Sequence, residues 1–271
     1  MDSLRQIDQW PVDNASTAVV ARDGRVLGTY GDVDRVYPLA SVTKLLTAYA
    51  MLVAIEEGAF ELDDTAGPEG STIRHLLAHA SGLDFDSDAV RAAPGDRRIY
   101  SNTGFAVLAR TLTERSGIEF GDYLQEAVLT PLAMTSTTLT GSPGAGANSN
   151  VADLTRFAAE LQRPTLIDSS TLAAATSVVF PGLDGVLPGF GVQRPNDWGL
   201  GMELRDSKNP HWTGASSSPE TFGHFGQSGT FLWVDPAAGA ACVVLTDRAF
   251  GEWAADAWPT LTDAILADID R

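Results

Sequence analysis

Leu39-Ala40-Ser41-Val42-Thr43-Lys44-Leu45-Leu46 is the stretch around which the rest of the chain is organised. From Ser41 the apolar residues fall at Leu45, Leu46, Ala48, Tyr49, Leu52, Val53 and Ile55, a helical rather than alternating spacing. Gly58, after Glu56 and Glu57, reads as the C′ residue that ends the helix. On such a helix Ser41 and Lys44 lie one turn apart on the same face. A serine hydroxyl is a poor nucleophile until a neighbour takes its proton. A lysine can take it only while neutral, and both burial and the positive end of a helix disfavour its charged form. Guanidinium cannot serve, because it stays protonated. Of the 18 basic side chains only Lys44 and Lys208 are lysine, so a lysine beside a helix-start serine reads as selected for its ability to lose a proton. The bland alternative is a surface lysine near an N-cap serine, and the four residues alone are a weak signal.

The 271 residues are 44% hydrophobic, enough for one large domain or two interleaved ones. A net charge of −17 without any basic stripe argues against nucleic acid and anionic membranes as partners. The N-terminus, Met1-Asp2-Ser3-Leu4-Arg5-Gln6, has neither a basic nor an apolar leader segment, and no apolar run is long enough to cross a bilayer. The expectation is a soluble, cytoplasmic protein. Cys242, the only cysteine, lies in the apolar run 240–245 and reads as a buried strand residue.

In chain order, residues 2–9 form a short helix before Pro11, and Asp23-Gly24 joins strands at 16–22 and 25–30. After the Ser41 helix, Ser71-Thr72 cap a helix over 73–79, residues 84–98 are loop, and helices follow at 104–116 and 120–128. Residues 141–150 read as a flexible Gly/Ser loop. Asp153 caps a helix through Leu161, Ser169 or Ser170 caps another, and 178–196 is an irregular loop at the active-site rim. Trp198 to Leu204 is a strand, and Lys208 to Pro219 a polar turn region. Strands at 231–234 and 240–246 precede a closing helix, 252–269, bent or interrupted at Pro259. Strands at both ends with helices between predict an α+β fold: one antiparallel sheet built from both chain ends, flanked by terminal helices, with an inserted helical subdomain. The sheet part covers about 1–40 and 197–271, the helical part about 41–196.

Three further stretches carry chemistry. In Tyr100-Ser101-Asn102, a phenol near a lysine ammonium can be held as phenolate and act as base and then acid, while Asn102 can bond a substrate carbonyl or position the lysine. The alternative is a turn with Asn102 as N-cap. In Gly223-His224-Phe225-Gly226-Gln227-Ser228-Gly229 the glycines let backbone N–H groups approach a substrate, as an oxyanion hole requires. His75 and His79 have metal-binding i, i+4 spacing, but Leu76 stands where a zinc protease needs Glu and no third ligand is evident, so they read as structural.

With these motifs the chain resembles the serine β-lactamase and penicillin-recognising hydrolases, in the branch of class C β-lactamases, D-alanyl-D-alanine carboxypeptidases and related esterases. Ser41-Val42-Thr43-Lys44 is similar to its Ser-x-x-Lys element and Tyr100-Ser101-Asn102 to its Tyr-x-Asn element. His224-Phe225-Gly226 stands where the family has Lys-Thr-Gly or His-Thr-Gly. The flanks are similar too, among them Ile73-Arg74-His75-Leu76-Leu77, Pro131-Leu132-Ala133-Met134 and Leu232-Trp233-Val234-Asp235-Pro236. The resemblance implies that Ser41 is acylated, that Lys44 and Tyr100 share the proton transfers, and that backbone N–H groups of Ser41 and Gln227 form the oxyanion hole. It implies that Asn102, His224 and Gly226 line the substrate, and that no metal or organic cofactor is needed.

The chain also departs from that pattern. Phe225 replaces a threonine whose hydroxyl meets a substrate carboxylate, and His224 replaces a permanently charged lysine, so a penicillin carboxylate loses a donor and positive charge. The chain is short for the branch. These points favour a small-molecule ester or amide substrate over a β-lactam or a cell-wall peptide. A silent binding protein on the same fold is the alternative of another class, and intact Ser41, Lys44 and Tyr100 argue against it. A Ser228–His224 triad lacks any G-x-S-x-G elbow.

Overall fold

Ala, Val and Thr fill β1 (Ala15–Ala21), and Gly24 at φ +83° turns the chain into β2 (Val26–Tyr30). The computed structural model describes residues 1–269. A small sheet, ordered β3-β5-β4, joins β3 (Tyr37–Pro38), β4 (Thr138–Leu139) and β5 (Ala147–Ser149). A hairpin pairs β6 (Gly185–Leu187) with β7 (Gly191–Gln193). β8 (Glu203–Leu204), β9 (Phe222–Gly226), β10 (Thr230–Asp235) and β11 (Ala240–Thr246) complete a six-stranded antiparallel sheet ordered β2-β1-β11-β10-β9-β8. Both chain ends therefore build one sheet.

The helices are α1 (Thr43–Glu56), α2 (Ile73–Leu77), α3 (Asn102–Ser116), α4 (Phe120–Leu124), α5 (Val151–Glu160), α6 (Ser169–Ala175) and α7 (Glu252–Ile269). The sheet separates two cores. Ala18, Val20, Leu232, Val234, Val243 and Leu245 face α1, α3 and α5. The alternating residues Val19, Phe231, Trp233, Cys242 and Val244 face α7 and the N-terminal 3-10 helix Asp2–Gln9. With both faces covered, the central strands read as continuous apolar runs. α7 runs through Pro259 without ending. A proline inside a helix costs about 3 kcal/mol. Trp258, Leu261 and Ile265 are each fully buried, and each such side chain contributes about 1.5–3 kcal/mol.

Several boundaries differ from the sequence reading. Ser41 sits in a 3-10 turn (Ala40–Val42) that leads into α1 rather than inside the helix. Asn150, not Asp153, caps α5; Asp168, not Ser169 or Ser170, caps α6. Trp198 to Leu204 is not a continuous strand: Gly201, at φ +76°, folds it back so that Trp198 bridges Glu203, and only β8 remains. After α4 the chain makes a π turn over Gln125–Leu129. Within the stretch read as a polar turn, Lys208, His211 and Trp212 are buried and gathered on Glu203. Among the described residues no helix is long and apolar enough to cross a membrane.

Candidate active site

The nucleophile turn is clamped to the end of β9. Ala40 takes φ +45°, a left-handed conformation that costs a non-glycine residue roughly 1–2 kcal/mol. Two hydroxyls on the β9–β10 turn hold the approach: Thr230 Oγ1 donates to Leu39 O at 2.9 Å and Ser228 Oγ to Pro38 O at 2.7 Å. Gly226 is needed at the contact, because a Cβ there would lie 2.3 Å from Leu39 O. Gly226 and Gln227 are thereby placed beside Ser41. Gln227 is itself fixed by Phe250, whose N–H donates to the Gln227 carbonyl.

Lys44 is fully buried between α1 and α3. Its Nζ donates to Asn102 Oδ1 at 2.5 Å and to Gly144 O at 2.8 Å, and lies 3.4 Å from Ser41 Oγ. Among the described residues no carboxylate lies within ion-pair distance of it. Burial lowers its pKa to about 7, with the Asp86 charge opposing the shift. A neutral amine has two N–H groups and one lone pair. With both N–H groups spent on carbonyls, the lone pair is left for the Ser41 hydroxyl.

Asn102 can serve Lys44 because it is not the N-cap of α3. Ser101 is, with its Oγ accepting from Gly104 N at 3.0 Å. Asp86 Oδ1 accepts from Asn102 Nδ2 at 2.9 Å, which turns the amide oxygen toward Lys44. The Gly/Ser loop before β5 is pinned rather than free: Thr47 Oγ1 donates to Pro143 O at 2.6 Å, and Ala147 N to Thr43 Oγ1 at 3.1 Å. Gly144, its contribution to the site, had no signal in the sequence, because a backbone carbonyl carries none.

The surroundings of Tyr100 favour its neutral phenol. Burial raises its pKa, opposed by a hydrogen bond with Ser41, and a lysine neutral near pH 7 supplies little charge to hold the anion. The lysine nitrogen lies 4.6 Å from the ring centroid. His224 is buried and its pKa is pulled down to about 3, first by burial and then by the Lys44 charge. Its Nδ1–H donates to Phe225 O at 2.6 Å, so Nε2 is the acceptor for the Tyr100 hydroxyl at 3.3 Å. His224 is thus a neutral brace rather than a substitute for a charged lysine. Phe225 points to the other side of the sheet, where it meets Phe250 at 5.0 Å and Trp258 at 5.8 Å between ring centroids.

Arg98, just before Tyr100, is buried and donates to the carbonyls of Ala78, Val179, Phe180 and Asn196 at 2.7–3.0 Å. His79 Nδ1 accepts from Ser101 N at 3.1 Å, and Ile99 N donates to His79 O at 2.8 Å. Together they fix the backbone on either side of Tyr100. His75 stacks on Phe180 and bonds Thr72. Among the described residues no group of three His, Cys, Asp or Glu side chains is placed to hold a metal.

A family model described as Beta-lactamase matches residues 13–267. Over 175 residues the chain is 27% identical to the D-alanyl-D-alanine-carboxypeptidase/endopeptidase AmpH of Escherichia coli, covering 46% of each chain. Over 134 residues it is 27% identical to Penicillin-binding protein 4* of Bacillus subtilis, covering 37% of this chain and 30% of that one. The chain thus spans less than half the length of these curated relatives. A crystal structure described as a beta-lactamase from Mycobacterium bovis superposes with a TM-score of 0.97 at 58% identity, over 98% of this chain and 99% of that one. A simvastatin synthase (LovD) mutant from Aspergillus terreus shares the fold, with a TM-score of 0.83 at 20% identity over 99% and 94% of the two chains.

Proposed function

Because this chain belongs to the beta-lactamase family of serine hydrolases related to penicillin-binding proteins, we propose that it cleaves small esters or amides through an acyl-enzyme on Ser41. The observation that carries the reading is the coordination of Lys44: two carbonyls take its N–H groups, and its third neighbour is the serine oxygen. Lys44 accepts the Ser41 proton as Oγ attacks the substrate carbonyl. The N–H groups of Ser41 and Gln227 stabilise the oxyanion. Tyr100 gives its proton to the departing atom and regains one from the Lys44 ammonium. Water then attacks the ester on Ser41 by the same route in reverse.

The test is hydrolysis of p-nitrophenyl butyrate by the wild type and by Ser41→Ala, with a chromogenic cephalosporin beside it. We expect ester turnover that falls by roughly 10³-fold or more in Ser41→Ala. Turnover that survives that substitution removes Ser41 from the mechanism. The second reading, a β-lactamase, rests on the Mycobacterium bovis protein described as one. Against it stands Phe225, which offers an apolar ring to the opposite core where a carboxylate needs a donor. Strong cephalosporin cleavage decides for that reading.

A further inference from the structure

A cavity of about 520 Å³ opens beside Tyr100. Its walls are Phe85, Ile99, Tyr100, Val186 and Pro188. Two of these walls are large apolar side chains left open to solvent on fixed backbone. Phe85 is 46% exposed and Val186 is 55% exposed. Phe85 lies over Tyr100 with ring planes 24° apart, and its carbonyl accepts from Asn102 N at 2.8 Å at the start of α3. The hairpin carrying Val186 bridges Arg98, and Arg98 N donates to Asp184 O at 2.9 Å. Gly185 permits the contact, since a Cβ there would lie 2.6 Å from Arg98 O. Most of the polar part of the lining is already engaged. Arg91 pairs with Asp84 at 2.7 Å, Arg98 is turned onto its four carbonyls, and the exposed Arg97 donates to Arg91 O at 3.2 Å. Folding gains nothing from holding Phe85 and Val186 open in this way, whereas an apolar ligand does.

Resting on the hydrolase reading, we infer that this cavity receives the leaving group, and that Phe85 and Val186 select esters of bulky, neutral, apolar alcohols. The side of the scissile bond follows from Tyr100. In the acylation step the Ser41 Oγ–carbon bond forms, the carbon–oxygen bond to the alcohol breaks, and the departing oxygen takes the Tyr100 proton. The departing group must then lie against Tyr100, which is one wall of the cavity. The acyl carbon stays on Ser41, nearer β9 and the Lys44 side.

The experiment compares kcat/KM for acetates of ethanol, butan-1-ol and cyclohexylmethanol, alcohols of similar acidity, with ethyl esters whose acyl chains lengthen by the same number of carbons. Each methylene buried is worth about fourfold, so the alcohol series rises by at least about 30-fold from ethyl to cyclohexylmethyl. The acyl series rises much less. In Phe85→Ala combined with Val186→Ser the alcohol series flattens to under about fivefold. A steep acyl series with a flat alcohol series overturns the assignment, as does an alcohol series unchanged by the two substitutions. Ser41-dependent turnover with a flat alcohol series defeats this inference alone, and absence of Ser41-dependent turnover with every ester defeats the hydrolase reading beneath it. Independently of turnover, cyclohexylmethanol binds the Ser41→Ala protein in calorimetry and loses that binding when Phe85→Ala and Val186→Ser are added; no binding to Ser41→Ala overturns the site.

Discussion

The chain has two lysines, and both are buried, yet their surroundings are opposite. Among the described residues the hydrogen-bond partners of Lys44 are neutral oxygens, from Ser41, Asn102 and Gly144. Lys208 is paired with the Glu203 carboxylate and also donates to Asp197 O and Leu204 O. The second Glu203 oxygen accepts from His211 Nε2–H and Trp212 Nε1–H, each at 2.9 Å. Burial pushes the Glu203 pKa up, but Lys208 and His211 pull it down to about 2. Burial lowers the Lys208 pKa as well, and there the Glu203 charge opposes it. A carboxylate partner favours the charged form of a buried lysine, whereas two carbonyls in its place leave the effect of burial largely unopposed.

The largest expected effect would sharpen that contrast. Lys44→Arg keeps a good helix former but puts a permanent cation where a lone pair is required. Its kcat/KM on p-nitrophenyl butyrate should fall by about 10⁴-fold or more, with circular dichroism unchanged. Activity within tenfold of wild type would remove lysine from the mechanism. Lys208→Met should show the reverse pattern. It strands Glu203 without its cation, so urea unfolding should show a loss of roughly 3–5 kcal/mol, while activity per folded molecule stays within tenfold. If Lys208→Met instead abolishes activity in a fully stable protein, the two lysines are not the different devices described.

Smaller effects appear in the pH profile. The lone pair on Lys44 exists only above its pKa, which is about 7. Below that value kcat/KM should drop by about tenfold per pH unit, and above it should level off. A flat profile between pH 5 and 8 contradicts a lysine base. Asp86 favours the ammonium form of Lys44. Removing its charge in Asp86→Asn should move the acid limb to lower pH. The plateau should fall by about tenfold, as one hydrogen bond that orients Asn102 is weakened. A limb that stays in place shows that Asp86 does not influence the base.

The sheet was legible because its strands are short apolar runs between strong turn signals such as Asp23-Gly24 and Gly239. The meeting of Ser41 and Lys44 was legible from their three-residue spacing, and the approach of Tyr100 and Asn102 to them from the motif at the start of α3. Helix starts were read one to three residues wrong at Asp153, Ser169 and Asn102, since several capping residue types stand side by side and tertiary contacts choose among them. Tyr100 could be read as a phenol held as phenolate by a neighbouring cation, and burial, which favours the neutral form of both groups, is not visible in the sequence. Lys208 and His211 look like turn residues in sequence, but the partner that justifies their burial, Glu203, is visible only once β8 is placed. The contribution of Gly144 is a carbonyl, which residue identity does not encode.

Arg98 carries a consequence for cooperativity. Residues 178–196 hold only the β6–β7 hairpin, and a rim segment so poor in regular structure would ordinarily open by itself. Burial lowers the Arg98 pKa only to about 10, so it remains a cation at neutral pH, and its guanidinium binds this segment at Val179, Phe180 and Asn196. Local opening would strip that charge of three of its four acceptors, leaving Ala78 O. The rim should therefore share the fate of the core: the amides of Val179 and Asn196, bonded to Trp198 O and Leu183 O, should exchange with solvent deuterium at the rate of global unfolding. Its irregular backbone would then be one of the slow-exchanging parts of the molecule.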